Sequence, residues 1–209
     1  LDGARQVGKT YIVRRYAERY YKNYVEINFI KNEAARKLFE GIWNEKEFFV
    51  KLSALTEVQC DPGETLVFFD EVQVCPEVVT YIKFLVDDGR FHYILSGSLL
   101  GVELKDIRSA PVGYLREVKM FPLDLEEFSA AVGLQADVLS YVREHVEKKE
   151  KIDALVHEKM MKVFRLYLVV GGMPAVVQAY LDTQNIQGVI RESWPNIGKT
   201  RLVTTKARR

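Results

Sequence analysis

Apolar positions along this chain recur in two periods, and the changes between them mark out the elements. In KTYIVRRYAERYY, Ile12, Tyr16 and Tyr20 fall on one helical stripe with Arg14, Arg15, Glu18 and Arg19 largely off it, so a helix with that stripe inward is expected. YVEINFI then alternates, with Val25, Ile27 and Phe29 on one side and Glu26 and Asn28 on the other, which predicts a strand. Two helical patterns follow, AARKLFEGI and EKEFFVKLSAL, and CDPGE is a turn by its Asp, Pro and Gly. TLVFFDE is a continuous apolar run ending in two acids, the pattern of a strand buried on both faces of a parallel sheet. Pro76 opens a helix with Val78, Ile82 and Leu85 inward and Gly89 as its stop. FHYILSGS reads as a further strand, and YLREVKMFPL as one more.

Strands alternating with helices imply a parallel sheet with right-handed crossovers. From Asp124 the pattern is helical only: LEEFSAAV, DVLSYVREHVEKK, DALVHEKMMKVFRLYLVV and PAVVQAYLDT. The expected organisation is an α/β core over 1–122, a helical part of a second domain over 123–192, and a basic, disordered tail over 193–209. Neither a repeat nor a low-complexity segment appears.

Composition narrows the classes. The chain has 209 residues, 48% of them hydrophobic, enough for one substantial domain and a smaller partner. Thirty basic side chains face 29 acidic ones, so bulk charge does not argue for a nucleic-acid partner. Cys60 and Cys75 match no metal spacing and, with no secretory signal visible, read as reduced thiols of a cytoplasmic protein. LYLVVGGMPAVV is too short to span a bilayer and is broken by Gly171, Gly172 and Pro174.

The chemistry starts at the first glycine. Gly3, Gly8, Lys9 and Thr10 satisfy G-x-x-x-x-G-K-[ST] within GARQVGKT, and a helical pattern follows at once. Such a loop, here Gly3, Ala4, Arg5, Gln6, Val7, Gly8, Lys9 and Thr10, wraps a phosphate chain in backbone N–H groups and adds the positive end of a helix. Lys9 is expected to reach the terminal phosphates of ATP and Thr10 to place its hydroxyl on Mg²⁺. Only Leu1 and Asp2 precede Gly3, so the loop's strand is expected to be truncated in a partial chain, and an upstream extension to raise its stability.

Asp70 and Glu71 end an apolar strand, where an open α/β sheet binds its ligands. Asp70 suits a carboxylate that holds Mg²⁺ either through a water or directly, and Glu71 suits the group that orients and deprotonates a water. In YILSGS, Ser96 offers a hydroxyl beside the acid strand, with Ser98 competing for the role. The Asn-Lys-x-Asp base reader of GTPases is absent, and the strand-end glutamate favours a hydrolytic ATPase over a small-molecule kinase.

These blocks, with ILSGSLLGV, PVGYLREVKMFPLDLEEF and YLVVGGMPAVVQAYL, occur in an order that resembles a large family of prokaryotic AAA-type ATP-binding proteins. In that family a P-loop ATPase core precedes a domain of unknown function. The resemblance covers roughly residues 1–192 and implies ATP and Mg²⁺ at Gly3, Gly8, Lys9, Thr10 and Asp70, Glu71 as hydrolytic base and Ser96 as sensor. Many members carry arginine after the glycine that is Gly113 here, where this chain has Tyr114; Arg108 and Arg116 are the candidate replacements. The expected function is Mg²⁺-dependent ATP hydrolysis that drives or switches the second domain. The alternative is a nucleotide-dependent regulatory or binding module with little turnover. A protein or DNA partner and a homo-oligomer stay open; a membrane partner is not expected. His92, His145 and His157 are too scattered for a metal site, and Tyr16, Tyr20 and Tyr21 read as core by their spacing.

Overall fold

The structure, a computed structural model, describes residues 1–39, 44–97 and 113–189. Ser98, Arg108 and the basic segment from 193 onward lie outside the described residues. The chain divides into two compact units, one ending at Phe121 and one starting at Pro122.

The first unit is a parallel sheet with helices on both faces. In chain order its elements are β1 (Asp2–Gly3), α1 (Lys9–Tyr20), β2 (Asn23–Asn28), a 3-10 helix (Glu33–Leu38), α2 (Glu45–Leu55), β3 (Thr65–Asp70), α3 (Glu77–Asp88), β4 (His92–Leu95) and β5 (Lys119–Met120). Two parallel ladders, β1–β5 and β2–β3–β4, meet where Asp2 bridges Gly97 and the Leu1 amino group donates to the Leu95 carbonyl at 2.5 Å. The strand order across both is therefore β5-β1-β4-β3-β2, every pair parallel.

β3 is buried along its whole length because both of its faces are covered. Leu66 and Phe68 pack with Val13 and Ala17 of α1. Val67 and Phe69 pack on the other side in the main core, with Val25 and Ile27 of β2, Phe48 and Leu52 of α2, and Val78, Ile82 and Leu85 of α3. Gly89 ends α3 in the left-handed conformation, φ 71°.

Three expectations need correction. The inward stripe of α1 is Val13 and Ala17, while Ile12, Tyr16 and Tyr20 are 48%, 44% and 61% exposed. Each set repeats every four residues, so periodicity alone does not choose between neighbouring stripes. Val13 and Ala17, the smaller side chains, are the ones that pack on Leu66 and Phe68. The exposed Tyr16 ring lies 4.9 Å from that of Tyr20 and 5.9 Å from that of Tyr21, and Tyr21 is partly buried against the Val13, Ala17, Leu66 and Phe68 cluster. The helix expected in AARKLFEGI starts one residue earlier, and its described part is a six-residue 3-10 helix, Glu33–Leu38, capped by Asn32; residues 40–42 lie outside the described residues. The strand expected in YLREVKMFPL shrinks to Lys119–Met120, because its only partner among the described residues is the two-residue β1.

The second unit contains α4 (Leu125–Ala131), α5 (Ala136–Lys148), α6 (Ala154–Val170) and α7 (Pro174–Thr183). Asp124 and Glu127 form a reciprocal capping box at the start of α4. Phe128, Val170, Val176 and Val177 form the core, with Phe128 5.2 Å from the Tyr167 ring. The glycine turn between α6 and α7 docks on residue 123: Leu123 N–H donates to the Gly172 carbonyl at 2.8 Å, and Tyr167 Oη donates to the Leu123 carbonyl at 2.9 Å. Among the described residues no single helix is long and apolar enough to cross a membrane; α6 and α7 are bent by 117°.

Candidate functional site

Four strands of the first unit deliver polar residues to one end of the sheet: Gly3 from β1, Asn28 from β2, Asp70 from β3 and Ser96 just after β4. Parallel strands present their carboxyl ends together, and β1 lies where the strand order reverses, the usual ligand position in such sheets.

The phosphate-type loop leaves β1 and turns into α1. Val7 is fully buried and anchors it, while Ala4, Arg5 and Gln6 face outward. Gln6 and Gly8 both take positive φ, 66° and 90°, so the loop curls and enters the helix from a left-handed residue. No side chain caps α1 and its first turn holds no acid; its first backbone bond runs from Ile12 N–H to the Gly8 carbonyl at 3.0 Å. The N–H groups at the head of α1 and the helix dipole thus face the loop uncompensated by side-chain charge. Gly3 has a reason of its own: a Cβ there would lie 2.4 Å from the Met120 carbonyl oxygen, so sheet contact with β5 requires the glycine.

Lys9 Nζ stands over the start of the loop, donating to the carbonyls of Gly3 at 2.8 Å and Ala4 at 2.9 Å. Burial lowers its pKa, opposed by the Glu71, Asp70 and Asp2 carboxylates, with Arg5 adding to the lowering.

Asp70 is buried, 4% exposed, yet each of its oxygens has two donors. Oδ2 accepts from Thr10 Oγ1 and Asn28 Nδ2, both at 3.1 Å. Oδ1 accepts from the Glu71 N–H at 3.1 Å and Ser96 Oγ at 2.5 Å. Four donors meet the full acceptor capacity of a carboxylate, which is what holding one inside a protein requires. The fully buried Ser96 hydroxyl thus serves Asp70 in this structure. Glu71 follows in the left-handed region, φ 59° and ψ 44°, and its Oε2 accepts from Gln73 Nε2 at 2.5 Å.

Of the sequence candidates, Thr10 and Ser96 are joined to Asp70 by their side chains and Glu71 by its backbone N–H, while Lys9 bonds the loop carbonyls. Tyr114 lies apart from this network, its hydroxyl 3.3 Å from Asp87, and Arg116 is exposed. Sequence reasoning missed Asn28 and Gln73. Asn28 stands opposite Asp70 in the β2–β3 register, a relationship no local pattern carries. Its Oδ1 accepts from the N–H groups of Ile30 at 3.0 Å and Lys31 at 2.9 Å, which turns its amide nitrogen toward Asp70. Gln73 sits in a one-turn 3-10 helix, Val72–Val74, with no sequence signal beyond proximity to the acids.

The donor set suits a magnesium–triphosphate: hard oxygens from one hydroxyl and one carboxylate, an ammonium group, and a helix head free of acids. Among the described residues no group of three or more His, Cys, Asp or Glu side chains assembles a metal cage. Mg²⁺ is commonly held in this way, by one or two protein groups plus phosphate oxygens.

Comparison with known families matches the AAA domain to residues 1–129, more than half of the chain. The chain belongs to the AAA domain family. ATP binding of the ATPase type is the general function of that domain, and a P-loop fold is its architecture. Among solved structures, one of Drosophila ORC bound to DNA is similar at 15% identity with a TM-score of 0.46; the likeness covers 95% of this chain and 59% of that one. No curated protein matches. The AAA domain assignment takes in the whole first unit, including every residue of the site above.

Proposed function

We propose that this AAA domain hydrolyses ATP with Mg²⁺ and that the cycle drives or switches the helical second unit. The observation that carries the reading is the bond between Thr10, the residue after Lys9, and Asp70, the residue before Glu71. Thr10 would hold Mg²⁺ directly and Asp70, whose oxygens already have four donors, would hold it through a bound water; the ion when bound neutralises charge on the phosphate oxygens. Lys9 and the N–H groups of the loop bind the phosphate chain and stabilise the charge that develops on it. Glu71 orients a water and accepts its proton as the water oxygen bonds to the γ-phosphorus. The bond from that phosphorus to the β–γ bridging oxygen breaks, and ADP leaves with the electron pair. Ser96 and Asn28 keep Asp70 fixed while this happens.

Phosphate release with and without Mg²⁺, compared with Glu71→Gln, tests the reading. Release should require Mg²⁺ and fall by about 10²–10⁴ in the variant, the usual contribution of a positioned base. ATP bound by titration calorimetry with no release above the variant would leave a nucleotide-dependent regulatory module instead.

A further inference from the structure

We infer that Gln73 is a positioning residue that holds the Glu71 carboxylate in its working orientation; this rests on the hydrolytic reading above. The backbone at Glu71 is pinned in its left-handed turn by three bonds: its own N–H to Asp70 Oδ1 at 3.1 Å, Val72 N–H to the Ser96 carbonyl at 3.0 Å, and Val74 N–H to the Glu71 carbonyl at 3.0 Å. Those bonds set where the Cα–Cβ bond points. They leave the side-chain torsions of the glutamate free, and a base that wanders through rotamers loses the alignment that proton transfer needs. Gln73 supplies the missing restraint through its 2.5 Å bond to Oε2, leaving Oε1 for another partner.

The anchor is itself well set. Gln73 is half-buried and follows Val72, which is 1% exposed and packed in the main core. A neutral amide suits the task, because it orients a carboxylate without placing a competing full charge beside it.

The test is a double-mutant cycle by single-turnover phosphate release, using the parent chain, Gln73→Met, Glu71→Gln and the double variant. Gln73→Met should lower kcat about tenfold, part of the 10²–10⁴ that a positioned base provides, with KM, ATP affinity and melting temperature unchanged. In the Glu71→Gln background it should have no further effect. A Gln73→Met protein with parental kcat, or with the same fall in the absence of Glu71, overturns the inference and leaves hydrolysis standing. A parent that binds ATP–Mg²⁺ and releases no phosphate overturns both. If methionine lowers the melting temperature, Gln73→Asn, which keeps the amide on a shorter arm, carries the same cycle.

Discussion

Thr10 and Asp70 are sixty positions apart in sequence, and the hydroxyl of one donates to the carboxylate of the other at 3.1 Å. The bond ties the first turn of α1 to the end of β3 and puts the two oxygen groups suited to Mg²⁺ in contact. Thr10→Ala should weaken ATP binding about tenfold in Mg²⁺, the loss of one charge-assisted contact, and leave it unchanged in EDTA. Lys9→Ala should abolish measurable binding in both. Titration calorimetry reads all four combinations, and equal losses with and without Mg²⁺ for Thr10→Ala would refute the metal role.

Ser96 and Asn28 satisfy a carboxylate that would otherwise be buried short of donors. Ser96→Ala and Asn28→Ala should each cost about 1.5–3 kcal/mol, the range for hydrogen bonds to charged groups. Denaturant unfolding of the two single variants and the double measures this. Because both side chains serve one carboxylate, the losses should not add.

Gly3 and Gly172 are held to glycine by neighbouring carbonyl oxygens. A Cβ at Gly3 would meet Met120 O at 2.4 Å, and one at Gly172 would meet Leu123 O at 2.0 Å. Each alanine variant must move backbone, so each should lower the melting temperature by several degrees, as expected for overpacking of about 1–3 kcal/mol. A melt indistinguishable from the parent's would show that the backbone yields freely at that point.

The thiols differ in environment. Burial, with Glu77 adding to it, pushes the Cys75 thiol up to about 12, and Cys75 is only 3% exposed; Cys60 is partly exposed, and burial raises its thiol too. Iodoacetamide at pH 8 should label Cys60 slowly and Cys75 only after denaturation, as mass spectrometry of the two peptides will show. Prompt labelling of Cys75 in the native protein would contradict its placement in the core.

Arg14 and Glu26 connect α1 to β2 through two bonds, 2.7 and 2.8 Å. The hydrogen bond from Arg14 holds the Glu26 carboxyl below its ordinary value of 4.5. A lowered carboxyl favours the fold above 4.5, and that contribution is lost as the pH falls through the lowered value. Glu26→Gln should therefore unfold more easily than the parent at pH 7, and the difference should shrink as the pH falls below 4.5, by guanidinium titration at each pH. Arg14 is half exposed, so screening keeps the difference at about 1 kcal/mol or less.

Chain-local physics is enough for much of this protein. A run such as TLVFFD is apolar at every position and has to be covered on both faces, Pro76 and Gly89 bracket a helix by their own backbone preferences, and a lysine and threonine after a glycine loop announce phosphate chemistry wherever they sit. Relations between elements are another matter. Which of two adjacent stripes on α1 turns inward was decided by its packing on Leu66 and Phe68. That Asn28 meets Asp70 depended on strand register, and that Ser96 bonds Asp70 depended on β4 lying beside β3. Periodicity within a segment records one side of a contact, whereas the partner across the sheet is selected by packing and backbone pairing that only the folded chain brings together.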